Sequence, residues 1–361
     1  MRVLQLGPYP PPHGGVQSNL VALRSFLRSQ GIPSAVINIT RHRKQEGDGI
    51  YYPRSAAGVL QLLRRLKYDV IHLHLGGTLN NRVLALGLAC TLQPATKSVL
   101  TFHSGGYPCS PQGRGTGRNS FAGLVLRRFD GLIGVNREIM DFFGRVGVPS
   151  RKSRLIQPHS FLPKKLNGST LPPPLEAFFA SHHPLLTSVG GLEPEYDLPL
   201  QIEALGSIRQ KFGAAGLVLI GSGSLEQEIL GQIRSRSYGE HILLCGDVPH
   251  SVTLQAISRA DVMLRTTLYD GDAISVREAL HLGTSVIATD NGMRPAGVHL
   301  IPGSNLEALL QATEEILLHP VRKASSVDTD DSNLRAILEF YKELTGESKA
   351  GEELAFQERS R

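Results

Sequence analysis

A chain of 361 residues is long for one hydrophobic core and comfortable for two α/β domains. Its three scattered cysteines, Cys90, Cys109 and Cys245, exclude a disulfide framework and zinc spacing, and point to a reducing cytoplasm. The net charge of +6 hides an asymmetry, since residues 1–180 carry 23 Lys and Arg against 7 Asp and Glu, and the remainder 15 against 25. A basic half joined to an acidic half is expected to face a polyanion. No apolar run approaches the roughly 20 residues of a membrane span, and the start, MRVLQLGPYPPP, reads as a strand entering a loop.

Taken in order, Val3–Gly7 is a first strand, and Ser18–Gln30 has helical periodicity. Gly14 and Gly15 stand just before that helix, where backbone can approach a ligand that a β-carbon would exclude. Ser34–Ile39 is a second strand and Ala57–Lys67 an amphipathic helix ending in Arg64, Arg65 and Lys67. Arg82–Leu92 is an apolar core helix. The buried strands DVIHLH (69–74) and SVLTFH (98–103) both end in histidine followed by glycines. Ligands of open parallel sheets sit beyond the carboxyl ends of strands, so His74 and His103 are expected to point toward a cleft, with His72 in the core. The loop Ser104–Asn119, rich in Gly, Ser and Arg, has the length of a binding loop. A helix Phe121–Phe129 with Arg127 and Arg128, a strand Gly131–Val135, a helix capped by Asn136 and a short strand Leu155–Gln157 follow.

Composition changes at Pro163–Pro184, and the domains are set at 1–165, a linker 166–184, 185–325, a helix 326–346 and a polar tail 347–361. The second domain opens with the strand Leu185–Val189. It continues through a helix Pro199–Phe212, strand Gly216–Ile220, helix Leu225–Arg236, strand His241–Cys245 and helix Val252–Ser258. An amphipathic helix Asn333–Leu344 closes the chain. The alternation predicts two Rossmann-like domains facing across a cleft, with the last helix crossing back to the first.

The stretch Asp261–Pro295 concentrates chemistry. A strand Val262–Thr267, a loop bearing Asp270, Gly271 and Asp272, and a helix from Ser275 to Leu282 form the unit that holds phosphate, because a first helical turn has free N–H groups and partial positive charge. Gly283 is placed to end the helix. Asp270, Asp272, Glu278, Arg265, Arg277 and Arg294 gather around this turn.

These segments together resemble the retaining glycosyltransferases of the GT-B fold, in the large group called family 4 or group 1. The resemblance rests on Gly14-Gly15-Val16, DVIHLH, TFHSGG, VGGLEPEYDLPLQIEAL, LVLIGSGSLEQEI, LLCGDVP and DGDAISVREALHLGTSVIATD. It implies that the family's Glu-x7-Glu pair falls on Asp270 and Glu278, the first holding donor-sugar hydroxyls and the second the ribose. It implies further that Gly14, Gly15 and Gly190 approach the donor, and that the 272–275 turn (Asp272, Ala273, Ile274, Ser275) faces the diphosphate. His103 falls near the reacting sugar, and the 246–250 loop with Val248 beside the base.

Two family cations are missing, because their positions hold Gly191 and Tyr196. The expectation is that Arg265, Arg277 and Arg294 replace them as the diphosphate clamp; guanidinium forks suit phosphate. The implied reaction is transfer of a hexosyl group from a nucleoside-diphosphate sugar, a co-substrate, to a hydroxyl acceptor such as a lipid-linked saccharide. No metal, no other cofactor and no nucleic acid are expected. The basic first domain, through Arg64, Arg65, Lys67, Arg127 and Arg128, is expected to touch the anionic inner face of the cell membrane. The alternative is a non-catalytic GT-B protein that binds nucleotide or glycan as an assembly subunit.

Overall fold

The computed structural model describes residues 1–10, 14–40, 47–158, 170–268, 273–292, 294–319 and 331–347. Its contacts divide the chain into two units, Met1–Phe161 with Asp330–Arg361, and Leu162–Thr329.

Among the described residues the first unit is built on seven parallel strands: β1 (Val3–Gly7), β2 (Ser34–Asn38), β3 (Ile50–Tyr51), β4 (Val70–Leu75), β5 (Lys97–Phe102), β6 (Gly131–Gly134) and β7 (Ser153–Leu155). Their order is β3-β2-β1-β4-β5-β6-β7, with Val3 level with Ser34 on one side and Val70 on the other. The helices are α1 (Gly15–Ser29), α2 (Ala56–Arg65), α3 (Asn81–Thr91), the short α4 (Pro111–Gly115), α5 (Phe121–Arg128) and α6 (Arg137–Arg145). Helices on both faces of a parallel sheet explain why the central strands read as continuous apolar runs. Leu4 and Leu6 enter a cluster with Leu62, Leu84 and Val125, while Val3 enters another with Leu23 and Leu27 of α1.

Among the described residues the second unit has six parallel strands in the order β10-β9-β8-β11-β12-β13. These are β8 (Leu185–Val189), β9 (Gly216–Ile220), β10 (Ile242–Leu244), β11 (Val262–Arg265), β12 (Ser285–Thr289) and β13 (His299–Ile301). Its helices are α7 (Pro173–Ser181), α8 (Leu198–Lys211), α9 (Glu226–Ser235), α10 (His250–Arg259), α11 (Ile274–His281) and α12 (Leu306–Leu318).

The last helix, α13 (Ser332–Thr345), belongs to the first unit. Leu334, Ile337, Leu338, Phe340 and Tyr341 complete the apolar layer on the α1 face of its sheet. Gly131 in β6 makes room for it, since a β-carbon there would lie 2.7 Å from the Phe340 ring.

Three sequence expectations change. The linker 166–184 holds α7, whose Leu175, Phe178 and Phe179 are buried against β8 and β9 neighbours; its prolines at the first turn start a helix instead of preventing one. The Ser104–Asn119 loop contains α4 and a preceding 3-10 turn, with Tyr107, Pro108 and Gly113 buried. α11 begins at Ile274 with Ala273 as its N-cap, so Ser275 lies inside the first turn and caps nothing. Among the described residues no helix is long and apolar enough to cross a membrane.

Candidate functional site

In the first unit, β1, β4 and β5 end side by side, and a row of three imidazoles lies at those ends. His103 follows β5, its backbone N–H donating to the Leu75 carbonyl at 2.7 Å. His72 and His74, two apart on β4, share one face of the strand, and their ring centroids are 4.0 Å apart. His74 Nδ1 and His103 Nε2 are 3.4 Å apart, and those rings stack at 5.7 Å with 24° between planes. His72 has both ring nitrogens engaged, Nε2 with the Thr101 hydroxyl at 2.7 Å and Nδ1 with the Tyr341 hydroxyl in a short bond. His72 and His74 are fully buried and His103 is half-buried. Burial disfavours the imidazolium: it pushes His72 and His103 down to about 3 and His74 well below the usual histidine value. The expectation for His74 changes: its ring is sealed in the core behind His103 and does not open onto a cleft. Gly7 allows this packing, because a β-carbon there would sit 3.0 Å from that of His74.

Gly14 is the N-cap of α1 and Gly15 its first residue. Gly14 has φ −166° and ψ 171°, an extended conformation open to any residue, and no side chain caps the helix. No left-handed turn requires glycine at Gly14.

In the second unit the ends of β8, β11 and β12 meet. Arg265, the last residue of β11, is buried; its Nη1 donates to the Val189 carbonyl at 2.8 Å, and its Cζ lies 4.6 Å from the centroid of the Tyr196 ring. This stack occupies the space over Gly190. A β-carbon on Gly190 would fall 2.0 Å from Tyr196 Cε1 and 2.8 Å from Arg265 Nη1, so glycine is sterically required there. The Tyr196 carbonyl accepts from the Thr266 hydroxyl at 3.1 Å, which in turn accepts from the buried Gln201 amide at 2.8 Å. The Arg265 guanidinium thus lies beside Gly190, Gly191 and Tyr196, the segment where the sequence lacks its expected cations.

Arg294 reaches the same strand ends. Its Nε donates to the Thr289 carbonyl at 3.0 Å and its Nη2 to the Thr267 hydroxyl at 2.8 Å. Arg277 is half-buried on α11. Glu278, buried in the second turn of α11, meets His250 Nε2 at 2.8 Å through Oε1. Burial alone would lower His250, but the hydrogen bond and charge of Glu278 outweigh it and raise the imidazole above its ordinary value. The sequence reading placed His250 only in a loop flanking the base; its partner is 28 residues away and no spacing rule connects them. Val248 packs half-buried near α7 and β9. Asp270, Gly271 and Asp272 lie outside the described residues. The first turn of α11 is formed by Ile274 and Ser275 after Ala273, and Gly283 ends the helix with φ +79°.

The basic residues of the first unit are not equally available. Arg127 donates to the Arg118 and Val146 carbonyls at 2.6 and 2.8 Å, which ties its guanidinium into the fold. Arg64, Arg65 and Lys67 remain exposed on or just after α2.

Two sequence families match the chain, Glycosyl transferases group 1 over residues 176–319 and Glycosyl transferase 4-like domain over residues 1–159. The chain is a GT-B glycosyltransferase. Solved structures of similar fold are those of other GT-B proteins at low identity. Anabaena HepE in complex with UDP-glucose is 14% identical with a TM-score of 0.68, covering 97% of this chain and 100% of that one. Sucrose-phosphate synthase from Thermosynechococcus elongatus is 17% identical at 0.66, covering 99% and 100%. The catalytic domain of Starch Synthase IV from Arabidopsis thaliana, bound to ADP and acarbose, is 13% identical at 0.69, covering 96% and 99%. No functionally curated protein matches the sequence significantly. In this glycosyltransferase both parallel-sheet units are Rossmann-like, as the GT-B fold requires.

Proposed function

We propose that this glycosyltransferase moves a hexosyl group from a nucleoside-diphosphate sugar to a hydroxyl acceptor with retention at the anomeric carbon. The observation that carries the reading is the Arg265 guanidinium, held on the Tyr196 ring beside Gly190 and Gly191. A diphosphate leaving group needs fixed positive charge where its own charge develops, and one such contact is worth about 3 kcal/mol in a transition state. Arg265 supplies it from β11 in place of the cations absent from Gly191 and Tyr196, with Arg294 at the same strand ends and Arg277 on α11. The first turn of α11 adds backbone N–H groups for the phosphates. Glu278 holds the ribose, Asp270 the sugar hydroxyls, and Gly14 and Gly15 the approach from α1. No metal and no further cofactor take part. His103 orients the sugar or the acceptor. The His103→Ala variant then loses turnover far more than nucleotide affinity, whereas equal losses in both remove the role.

UDP-glucose is bound by HepE and ADP by starch synthase, which favours nucleotide sugars as the donor class here. A thermal-shift screen of nucleoside diphosphates and their sugar conjugates tests this directly; no shift with any of them sinks the proposal. Donor hydrolysis by the purified protein separates an enzyme from a non-catalytic subunit.

The acceptor is a lipid-linked saccharide at an anionic membrane, a surface-polysaccharide intermediate. Asp69 is the one acid between residues 49 and 129. The helices α2, α3 and α5 cover one sheet face and carry exposed Leu60, Phe121 and Leu124, with Leu92 exposed just after α3. Each basic residue near an anionic surface adds about 1 kcal/mol, so Arg64, Arg65, Lys67 and Arg128 suffice for salt-sensitive binding. Sedimentation with anionic vesicles at low and high salt tests it, and no binding at low salt removes the membrane.

A further inference from the structure

We propose that His74 fixes His103 in its Nδ1–H tautomer, so that His103 meets the substrate as a neutral hydrogen-bond donor and not as a base. The inference deepens the functional reading above and rests on it for the word substrate; the tautomer itself does not depend on it.

The His74 ring is shut from solvent between Gly7 and the His72 ring. Its Nδ1 faces His103 Nε2 at 3.4 Å, and among the described residues its Nε2 has no hydrogen-bond partner. A neutral imidazole carries one N–H and one lone pair. A buried N–H without an acceptor is rarer and costs more than a buried lone pair without a donor. The proton of His74 therefore sits on Nδ1 and is donated to His103. His103 Nε2 then accepts, which leaves its proton on Nδ1, the remaining ring nitrogen. That nitrogen makes no hydrogen bond among the described residues, and the residue is half-buried rather than sealed. Protonating His103 on Nε2 would set two N–H groups against each other, which agrees with the downward push that burial gives it.

The lower members of the stack hold His74 in place. His72 lies against it at 4.0 Å and is itself pinned at both nitrogens, to Thr101 on β5 and to Tyr341 on α13. His74 is thus a positioning residue. His103 touches the reacting molecule through an N–H, suited to an acceptor oxygen of the sugar or the departing phosphate.

The test is long-range 15N–1H correlation on the full chain, which distinguishes the two neutral tautomers and the cation. His103 is identified by the signals that vanish in His103→Asn. The expected result is protonated Nδ1 and bare Nε2 at neutral pH, unchanged to about pH 5. An Nε2–H tautomer, a mixture, or a cation at neutral pH overturns the proposal. The His74→Phe variant keeps the stack but not the donor. His103 should then populate both tautomers and kcat should fall about tenfold, with KM for the donor sugar within about twofold. His74→Asn, which retains an N–H, should restore most of the rate. If His74→Phe fails to fold, the wild-type tautomer still decides. A correct tautomer in a protein that transfers no sugar from any donor refutes the functional reading and leaves the tautomer standing.

Discussion

The two units handle their polar strand ends in opposite ways. At the ends of β4 and β5, three imidazoles are packed without charge, each held down by burial. At the ends of β8, β11 and β12 a guanidinium is buried on a tyrosine ring, and between α10 and α11 a carboxylate is buried against a histidine whose protonated form it favours. Charge left inside protein demands partners, whereas neutral rings demand shape. The first arrangement suits orientation of a sugar or hydroxyl; the second suits an anion that gains charge as a bond breaks.

The largest effect should come from the charged side. Arg265→Ala removes the guanidinium and is expected to lower kcat by about 100- to 1,000-fold, while Arg265→Lys recovers little because the stack and fork geometry are lost. Steady-state kinetics decide it, and a loss under tenfold would take the clamp away from Arg265.

Acid should separate the units. His72 and His74 have folded values far below 6.5, so the unfolded chain binds protons that the folded one refuses. Stability of the first unit falls as pH drops below about 6.5, by roughly 1.4 kcal/mol per pH unit for each histidine. His250 has a raised value, so its contribution is complete below about 6.5 and is lost as pH rises through that raised value. Hydrogen exchange near pH 5 and pH 7 should show β4 and β5 loosening in acid while α10 and α11 hold. A parallel response of both would break the contrast. Glu278→Gln should erase the His250 part of the dependence.

A smaller change sharpens the neutral side. Tyr341→Phe removes one hydroxyl bond to a buried imidazole and should cost about 1–2 kcal/mol in urea unfolding, with donor affinity unchanged.

Much of the fold was legible because parallel strands buried on both faces and capped helices leave local marks. DVIHLH, SVLTFH, Asn136 and Gly283 each fell where their chemistry indicated. α7 was hidden by the three prolines of LPPPLEAFF, read as a linker although Pro also starts helices. α12 has its own local marks in the Asn305 cap and the apolar spacing of Leu306, Leu309, Leu310, Ile316 and Leu317, yet it stands in none of the predicted elements. β13 leaves no signal, as it is three residues with His299 and Leu300 exposed. At the site, Arg265 was singled out for its charge, but its partner Tyr196 entered only as a departure from a pattern. The orientation of His74 and the pairing of His250 with Glu278 depend on contacts across 29 and 28 residues, which no local rule reports.

The position of α13 has a consequence for how the protein is made. Strands β1 to β7 emerge from the ribosome before the second unit, yet the layer that seals their α1 face is translated after it. The nascent first unit therefore waits with apolar surface uncovered, and the partner that Tyr341 gives His72 arrives only once the second unit has been made. A chain stopped before Ser332 would carry every residue assigned here to the donor and still lack a finished first unit.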